Sequence, residues 1–336
     1  MTVQKKLKSI IRERQRKTGE SYTAARVHVM RARSESLGIE DSTPPSPHPE
    51  RIEAVVLSVG MLSVRVRVPD EPEDITFRTS AVSDLVPGHI VRISFRKRWT
   101  WGGHACASGK VHEVSVDASR LGVEPLPLLD TGVENLREAY QPHEDPDPYA
   151  PMWRELTAEP RRCFNMDPIA WGALPDAKDP EENLTCDAVD FADEGKPERA
   201  RDLLMQVLRR DLRCIDAHVQ LGNLEFDHSA HRALRHYEMG IRIGELSFPK
   251  DFDGLFLWGP IYNRPFLRAL FNSALCLWRL GRTHEAEATF TRVLSLNPPD
   301  NQGARFCLED VRNGTSWETM RNGEAREEVA RFGPLN

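Results

Sequence analysis

The side chains best suited to ligand chemistry form one short run in which cations are followed by aromatic rings. It reads R-K-R-W-T-W, and its charged and aromatic members are Arg96, Lys97, Arg98, Trp99 and Trp101. Indole rings stack on unpaired bases, and Lys and Arg side chains neutralise phosphates. The run therefore indicates a contact with single-stranded nucleic acid. The alternative is a basic hairpin whose Trp folds back on the edge of its own domain.

A second basic segment lies at the N-terminus. Residues 1–33 hold ten Lys or Arg and two Glu, although the whole chain has a net charge of −6. Two helices are expected there, and the cations of the first are Lys5, Lys8, Arg12 and Arg16. We expect this basic head either to contact a nucleic-acid backbone or to pack, as a solvated helical hairpin, on its own domain or a partner.

Side chains suited to catalysis or metal binding are present, but they follow no recognised pattern. His104, Cys106 and His112 lack a fourth ligand at a usual spacing. The acid pair Asp187 and Asp190 lies on a predicted helix, where such pairs more often face solvent. The chain has no phosphate-binding glycine loop, no H-E-x-x-H and no G-x-S-x-G. We expect no catalytic residue, no metal and no cofactor, so the protein is predicted not to be an enzyme.

The cation–aromatic run belongs to a segment with the period of β-strands. Three valines alternate with two arginines along one predicted strand, which holds Val64, Arg65, Val66, Arg67 and Val68. Five short strands separated by Pro-Asp, Pro-Gly and Gly-Gly turns predict a small five-stranded β-barrel over residues 51–117. Barrels of this size are of the oligonucleotide-binding (OB) or SH3-like kind.

The C-terminal part of the chain has the period of α-helices. Residues 266–305 are predicted to form a helix, a tight turn, a second helix, a Pro-Pro stop and the start of a third helix. The turn glycine, the small residue, the aromatic residue and the stop are Gly281, Ala286, Phe290 and Pro298. This layout resembles a tetratricopeptide repeat.

The same layout occurs twice upstream. The equivalents of the small residue are Ala200 and Ala233, which are 33 positions apart. That spacing is near the expected period of about 34. Ala286 follows Ala233 by 53 positions, so residues 245–265 are interpreted as an insert. Inserts in such arrays tend to form loops on one face, often the binding face.

Two strings carry a more specific resemblance, and they are L-W-G-P-I-Y-N-R-P and L-N-P-P-D-N-Q-G-A-R. They resemble a group of uncharacterised bacterial tetratricopeptide proteins with an L-N-P-x-D-N-Q-G-x-R signature. The resemblance covers about residues 186–311, and it departs from the group's pattern at Pro299 and Asn263. No activity comes with it.

The resemblance implies a binding function, because such repeats generally bind other molecules. Those that grip a C-terminal carboxylate project cationic and amide side chains from the first helix of successive repeats. The partner-binding residues implied here are Gln220, Asn223, Trp258, Arg264, Arg268, Asn272 and Arg305. The matching cations of the first repeat are absent. Alternatively, Arg264 and Arg305 form structural ion pairs with Asp300 or Glu309.

The sequence thus predicts a multidomain α+β protein. Its parts are a basic helical hairpin (1–35), a Pro-rich linker (36–50), a small β-barrel (51–117), an irregular strap rich in Pro, Asp and Trp (118–180), tetratricopeptide-like helical repeats (181–320) and a C-terminal tail (321–336).

The predicted function is that of a non-catalytic scaffold that binds a peptide or protein partner through its repeats. The alternative is a nucleic-acid-associated protein that uses the basic hairpin and residues 96–101, which are interpreted as a loop of the barrel. Six scattered cysteines without a C-x-x-C pair indicate reduced thiols and hence a cytoplasmic location. No apolar run approaches the roughly 20 residues that cross a membrane, so no membrane contact is expected. The sequence leaves the oligomeric state open.

Overall fold

The structure is a computed structural model that describes residues 11–14, 17, 29, 51–140, 147–173 and 183–323. The chain divides into two compact units, Met1–Pro49 and Glu50–Asn336. In the first unit, residues 11–14 are helical, with Ile11 buried and Arg12 exposed. The remaining cations predicted for the first helix, Lys5, Lys8 and Arg16, lie outside the described residues, as do the linker and most of the tail.

A closed five-stranded barrel opens the second unit. Its strands are β1 (Ile52–Val59), β2 (Val64–Arg67), β3 (Ile75–Arg78), β4 (Ile90–Trp101) and β5 (His104–Ser115). Their order around the barrel is β1-β2-β3-β5-β4. Neighbouring strands are antiparallel except β3 and β5, which are parallel. The predicted small five-stranded barrel is confirmed.

Alternation along the strands decides which side chains fill the barrel. The apolar residues that point inward are almost fully buried, and they include Val64, Val66, Ile75, Phe77 and Ala107. The rings of Phe77 and Phe95 pack edge to face, with centroids 5.9 Å apart. Because side chains alternate between the two faces of a strand, the residues between these inward positions face outward.

Residues 96–101 are interpreted as a loop in the sequence, and this is wrong, since they form the end of β4. Gly102 and Gly103 have φ values of 58° and 82°. This left-handed backbone suits a two-residue hairpin turn, so β4 and β5 stay paired up to Trp101 and His104. The register shifts between Phe95 and Lys97, where a bulge leaves Arg96 unpaired.

The strap contains two short helices, which its sequence predicts, and a small sheet, which it does not. A two-stranded antiparallel sheet joins β6 (Leu128–Glu134) to β7 (Arg161–Met166). Between them lie the helices α1 (Leu136–Ala139) and α2 (Ala150–Leu156). Trp153 on α2 is 2% exposed and belongs to the same core as the repeat helices. The strap therefore packs against the repeats, which gives this Trp the apolar contacts that it needs.

Three consecutive helix pairs follow within residues 183–323, and further helical residues come after them. They are α3 (Leu184–Asp193) with α4 (Pro197–Arg210), α5 (Ile215–Phe226) with α6 (Ala230–Glu245), α7 (Arg264–Arg279) with α8 (Thr283–Leu296), and α9 (Ala304–Arg312). The small residue of each second helix is buried, as predicted, at Ala200, Ala233 and Ala286. Among the described helices none is long and apolar enough to cross a membrane.

The barrel docks on the second helix pair. Arg235 of α6 donates from Nη1 to Oδ1 of Asp84 at 3.0 Å. A Cβ on Gly88 would lie 2.8 Å from Sδ of Met239, so the glycine permits close contact with α6. Three buried histidines lie near this contact, and they are His89 before β4, His218 on α5 and His236 on α6.

Candidate partner-binding site

The first helices of the second and third pairs, α5 and α7, lie side by side. Asn272 of α7 donates from Nδ2 to Oδ1 of Asn223 on α5 at 3.0 Å. Asn223 in turn donates from Nδ2 to Oε1 of Gln220 at 3.0 Å. We call Gln220, Asn223 and Asn272 the amide ladder. Three residues that the sequence assigns to partner binding are therefore joined by hydrogen bonds across two helices.

The amide ladder continues into a charged pair and a Trp ring. Nε2 of Gln220 lies 3.5 Å from Oδ1 of Asp216, and Nη1 of Arg268 lies 3.6 Å from the same oxygen. The guanidinium groups of Arg268 and Arg264 each lie 5.5 Å from the ring centroid of Trp258. Six of the seven predicted residues thus gather in one cluster, which we call the groove cluster.

Asp216 is the member that the sequence does not reveal. It is 3% exposed, and burial raises the pKa of its carboxyl group to about 6, while Arg268 and Gln220 act in the opposite direction. At neutral pH the carboxylate is ionised and holds Arg268 in place. Its position one helical turn before Gln220 is the only sequence signal that would have placed it on this face.

Arg264 has structural contacts as well as its place beside Trp258. Its Nε donates to the backbone oxygen of Trp258 at 3.0 Å, and its Nη2 donates to that of Gly259 at 3.3 Å. The side chain therefore holds the end of the insert against the start of α7.

Arg305, the seventh predicted residue, contacts other groups than the groove cluster. Its Nη1 lies 3.2 Å from Oδ2 of Asp300, and its Nε lies 3.7 Å from Oδ2 of Asp147. Asp300 also accepts from the backbone N–H of Ala304 at 2.7 Å, at the start of α9. These contacts match the structural alternative that the sequence leaves open for Arg305.

The insert is folded into the core, although its sequence suggests a surface loop. The backbone N–H of Leu255 donates to the backbone oxygen of Arg162 on β7 at 2.7 Å. The backbone N–H of Phe164 donates to the backbone oxygen of Leu255 at 2.9 Å. Phe256 is fully buried and donates from its backbone to Leu296 at 2.8 Å. The insert therefore joins the strap to the third helix pair, and this attachment fixes the position of Trp258 beside Arg268.

Asn263 closes the insert with three hydrogen bonds to backbone groups and is fully buried. Its Oδ1 accepts from the backbone of Met166 at 2.9 Å, and its Nδ2 donates to Phe164 at 2.9 Å and to Leu257 at 3.1 Å. The sequence marks this residue only as a departure from the bacterial pattern. Its role is to satisfy three backbone groups that lie apart in the chain.

We expect Asn263→Ala to lower the free energy of unfolding by about 2–3 kcal/mol, because it leaves buried backbone groups without partners. Urea unfolding measures this change. Asn313→Ala, at an exposed position after α9, is the matched control and should change stability by less than about 0.5 kcal/mol. Equal stability of the two variants would show that Asn263 does not hold the insert.

The second set of predicted residues lies on the barrel, and β4 divides it between two faces. The pairing of β4 with β5 places Lys97, Trp99 and Trp101 on the outer face, opposite Ser108, Cys106 and His104 respectively. Arg98 pairs with Ala107 of the core and so points to the other face, where it lies 2.8 Å from Glu71. The predicted run is therefore not one continuous surface.

Within the part of the chain that the structure describes, no group of three or more His, Cys, Asp or Glu side chains is placed to hold a metal ion. His112 contacts the hydroxyl of Ser94, with Oγ and Nε2 2.8 Å apart. The acid pair Asp187 and Asp190 on α3 is exposed.

Comparison with known proteins supports the repeat assignment. Residues 267–300 match the model of the Tetratricopeptide repeat family, and this range covers most of α7, all of α8 and the turn that follows. The chain therefore contains a tetratricopeptide repeat, as Gly281, Ala286 and Phe290 predict. The narrower resemblance to bacterial proteins stays a prediction. Searches of curated proteins and of solved structures found no match.

Proposed function

We propose that this chain is a non-catalytic interaction scaffold that binds a peptide or protein partner over the groove cluster. Arrays of helical repeats present extended concave surfaces that serve as binding sites. The observation that carries the proposal is the gathering of amide and cationic side chains on the first helices of adjacent pairs, beside the ring of Trp258 in the insert. A tetratricopeptide repeat in the same region agrees with this function.

The chemistry of the groove cluster suits an extended peptide. A carboxamide has two N–H donors and one carbonyl acceptor, which are the groups needed to pair with a peptide backbone. Asn223 is exposed and uses one N–H on Gln220, so it keeps a second N–H for a carbonyl of the partner. Arg268, whose side chain is 35% exposed, supplies a cation for a carboxylate of the partner.

Trp258 adds an apolar surface to this site. Its ring is partly exposed and lies beside both guanidinium groups. An indole ring at this position offers contact area to an apolar side chain of the partner at little cost in conformational entropy. We therefore expect the preferred peptides to combine a carboxylate with a neighbouring apolar residue.

A displayed peptide library tests this expectation. Peptides selected on the full chain are labelled, and their dissociation constants are measured by fluorescence anisotropy. The double variant Arg268→Ala with Asn272→Ala should weaken binding at least tenfold, which corresponds to about 1.4 kcal/mol or more. The loss is expected because the variant removes both the cation and one end of the amide ladder.

Two controls separate binding from folding. Arg242→Ala removes a cation from α6 at a side chain that is 57% exposed, and it should leave peptide affinity unchanged. Arg305→Ala should lower stability, and it should change affinity only as far as it unfolds the protein. Selected peptides that bind the Arg268/Asn272 variant as tightly as the wild type would show that the groove cluster is not the site.

A further inference from the structure

The register of the barrel strands brings together residues that are distant in the chain. Trp99 of β4 pairs with Cys106 of β5, Cys106 with Thr76 of β3, and Thr76 with Arg65 of β2. Residues that pair directly across strands lie on the same face of a sheet. Because the neighbouring row contains the buried Phe77 and Ala107, this row faces outward from the barrel.

The rows on either side extend the same face. Lys97 pairs with Ser108, and Ser108 with Arg78, so Lys97 and Arg78 flank the Trp99 row. Trp101 lies two positions beyond Trp99 on the same strand and therefore on the same face. We call Arg65, Thr76, Arg78, Lys97, Trp99 and Trp101 the barrel face.

Two rings and three cations of the barrel face are available to a ligand. Trp101 is 76% exposed, so most of its surface is open to a ligand. Trp99 is partly exposed, and the guanidinium of Arg78 lies 5.3 Å from its ring centroid. Within the described residues, Arg65, Arg78 and Lys97 form no ion pair.

Acidic residues at one end of the barrel face limit the path of an anionic ligand. The charge of Asp74 is paired with Arg67 at 3.1 Å. Two further acids, Asp70 and Glu73, line a cleft of about 740 Å³ beside Arg65. Phosphates would be repelled there. The favourable path for a polyanion therefore crosses Lys97 and Arg78, next to the two Trp rings.

We propose that the barrel face binds single-stranded nucleic acid, an activity separate from peptide binding by the repeats. Bases stack on Trp99 and Trp101, and the neighbouring phosphates contact Lys97 and Arg78. Stacking on indole rings beside Lys and Arg requires unpaired bases, so a duplex meets this face only through its backbone. The four-stranded width of the face, about 14 Å at about 4.8 Å between strands, suits a few nucleotides.

Anisotropy with a labelled 12-nucleotide single strand of mixed sequence, made as RNA and as DNA, tests the proposal on the full chain. Wild-type protein should bind at low salt, and a duplex of the same sequence should bind more weakly. Trp101→Ala and Trp99→Ala should each weaken single-strand binding by about 5- to 140-fold. Phe306→Ala, which removes a ring that is 58% exposed on α9, should have no effect. The tighter of the RNA and DNA arms identifies the ligand.

A salt titration tests the phosphate contacts separately. The double variant Arg78→Ala with Lys97→Ala should reduce the slope of log affinity against log salt by about 1.4, since each phosphate contact contributes about 0.7. Arg242→Ala with Arg282→Ala removes equal charge from the repeats and should leave the slope unchanged.

Three outcomes would overturn the proposal. Wild-type protein that binds no single strand at low salt has no such site. Trp variants that bind as tightly as the wild type would assign the binding to the basic head. Polyglutamate that displaces the oligonucleotide at equal charge concentration would show that the barrel face prefers acidic peptides.

Discussion

Ala286→Asp is expected to destabilise the C-terminal repeat by about 3–5 kcal/mol. Ala286 on α8 is 0% exposed, and α8 packs there on α7, as the edge-to-face contact of Phe290 with Phe271 at 5.7 Å shows. An aspartate at this position buries a carboxyl group without a partner, and either the charge or the cost of protonating it lowers the free energy of unfolding. Urea unfolding followed by circular dichroism measures the loss.

Ala288→Asp is the matched control for this variant. Ala288 lies two positions further along α8 and is exposed, so the same substitution there has the same helix propensity and charge but buries nothing. We expect a change of less than about 1 kcal/mol. Equal losses in the two variants would mean that burial of Ala286 does not explain the effect and that the repeat register is wrong.

The repeats are predictable from sequence because their signals are local. Gly281 ends α7 with a left-handed φ of 73°, Ala286 fits where the helices touch, and Phe290 follows one turn later. Each of these signals depends on neighbours within about one helical turn. The insert is different, because Leu255 pairs with β7, some 90 residues earlier in the chain. A partner so distant leaves no periodic pattern, so the segment looks like a surface loop.

The same distinction separates the predicted and missed parts of the candidate site. Arg268 and Asn272 share a helix face because they are four residues apart, and the structure places them together with Asn223. Asp216 is missed because an acidic residue on a helix ordinarily faces solvent. The structure places Arg305 away from the groove cluster, where it contacts Asp147 of the strap. The sequence misses this contact because no residue near Arg305 in the chain indicates it.

The barrel shows how register limits prediction. Alternation in Val64, Arg65 and Val66 identifies a strand and its two faces, because that information lies within one strand. Arg65 and Trp99 lie in the same row of the barrel only because β3 pairs in parallel with β5. Strand order is set by the whole barrel, so no short segment of the sequence carries it.

The free energy of unfolding is expected to fall markedly between pH 7 and pH 5 because of the histidines near the contact between barrel and repeats. His89, His218 and His236 are at most 5% exposed. Burial lowers the pKa of His89 to about 3 and that of His218 to about 4, and it lowers the pKa of His236 in the same direction. In the folded protein the rings of His89 and His218 are therefore neutral at pH 5.

Charged neighbours add to the effect of burial. Arg235 acts on His89, and Arg201 and Arg232 act on His236, and each of these cations lowers the pKa of the histidine that it faces. Arg201 and Arg232 both pair with Glu225, and Arg235 pairs with Asp84. For His218, the hydrogen bond to the backbone oxygen of Leu212 acts in the opposite direction but is weaker than burial.

The sign of the pH effect follows from proton binding in the two states. Unfolded histidine has a pKa of about 6.5, so below that pH the unfolded chain binds protons that the folded chain does not. The stability is then full above about pH 6.5 and is lost as the pH falls. At pH 5 the loss is about 2 kcal/mol for each of His89 and His218, at about 1.4 kcal/mol per pH unit.

Asp216 acts in the opposite direction over part of this range. Its pKa is raised to about 6 in the folded protein, whereas an unfolded Asp titrates near 3.9. The folded state therefore gains a proton as the pH falls below 6, which adds about 1.4 kcal/mol at pH 5. The loss from His89 and His218 together exceeds the gain from Asp216, and His236 acts in the same direction as the other histidines, so a net loss of stability is expected.

Urea unfolding at several pH values between 7 and 5 measures the slope, and one variant assigns it. His218→Gln keeps a donor for Leu212 but removes a titrating ring, so the average slope between pH 7 and pH 5 should fall by about 1 kcal/mol per pH unit. His231→Gln, at an exposed position on α6, should leave the slope unchanged. If both variants keep the wild-type slope, His218 is not among the groups that take up protons on unfolding, and the acid sensitivity arises elsewhere in the chain.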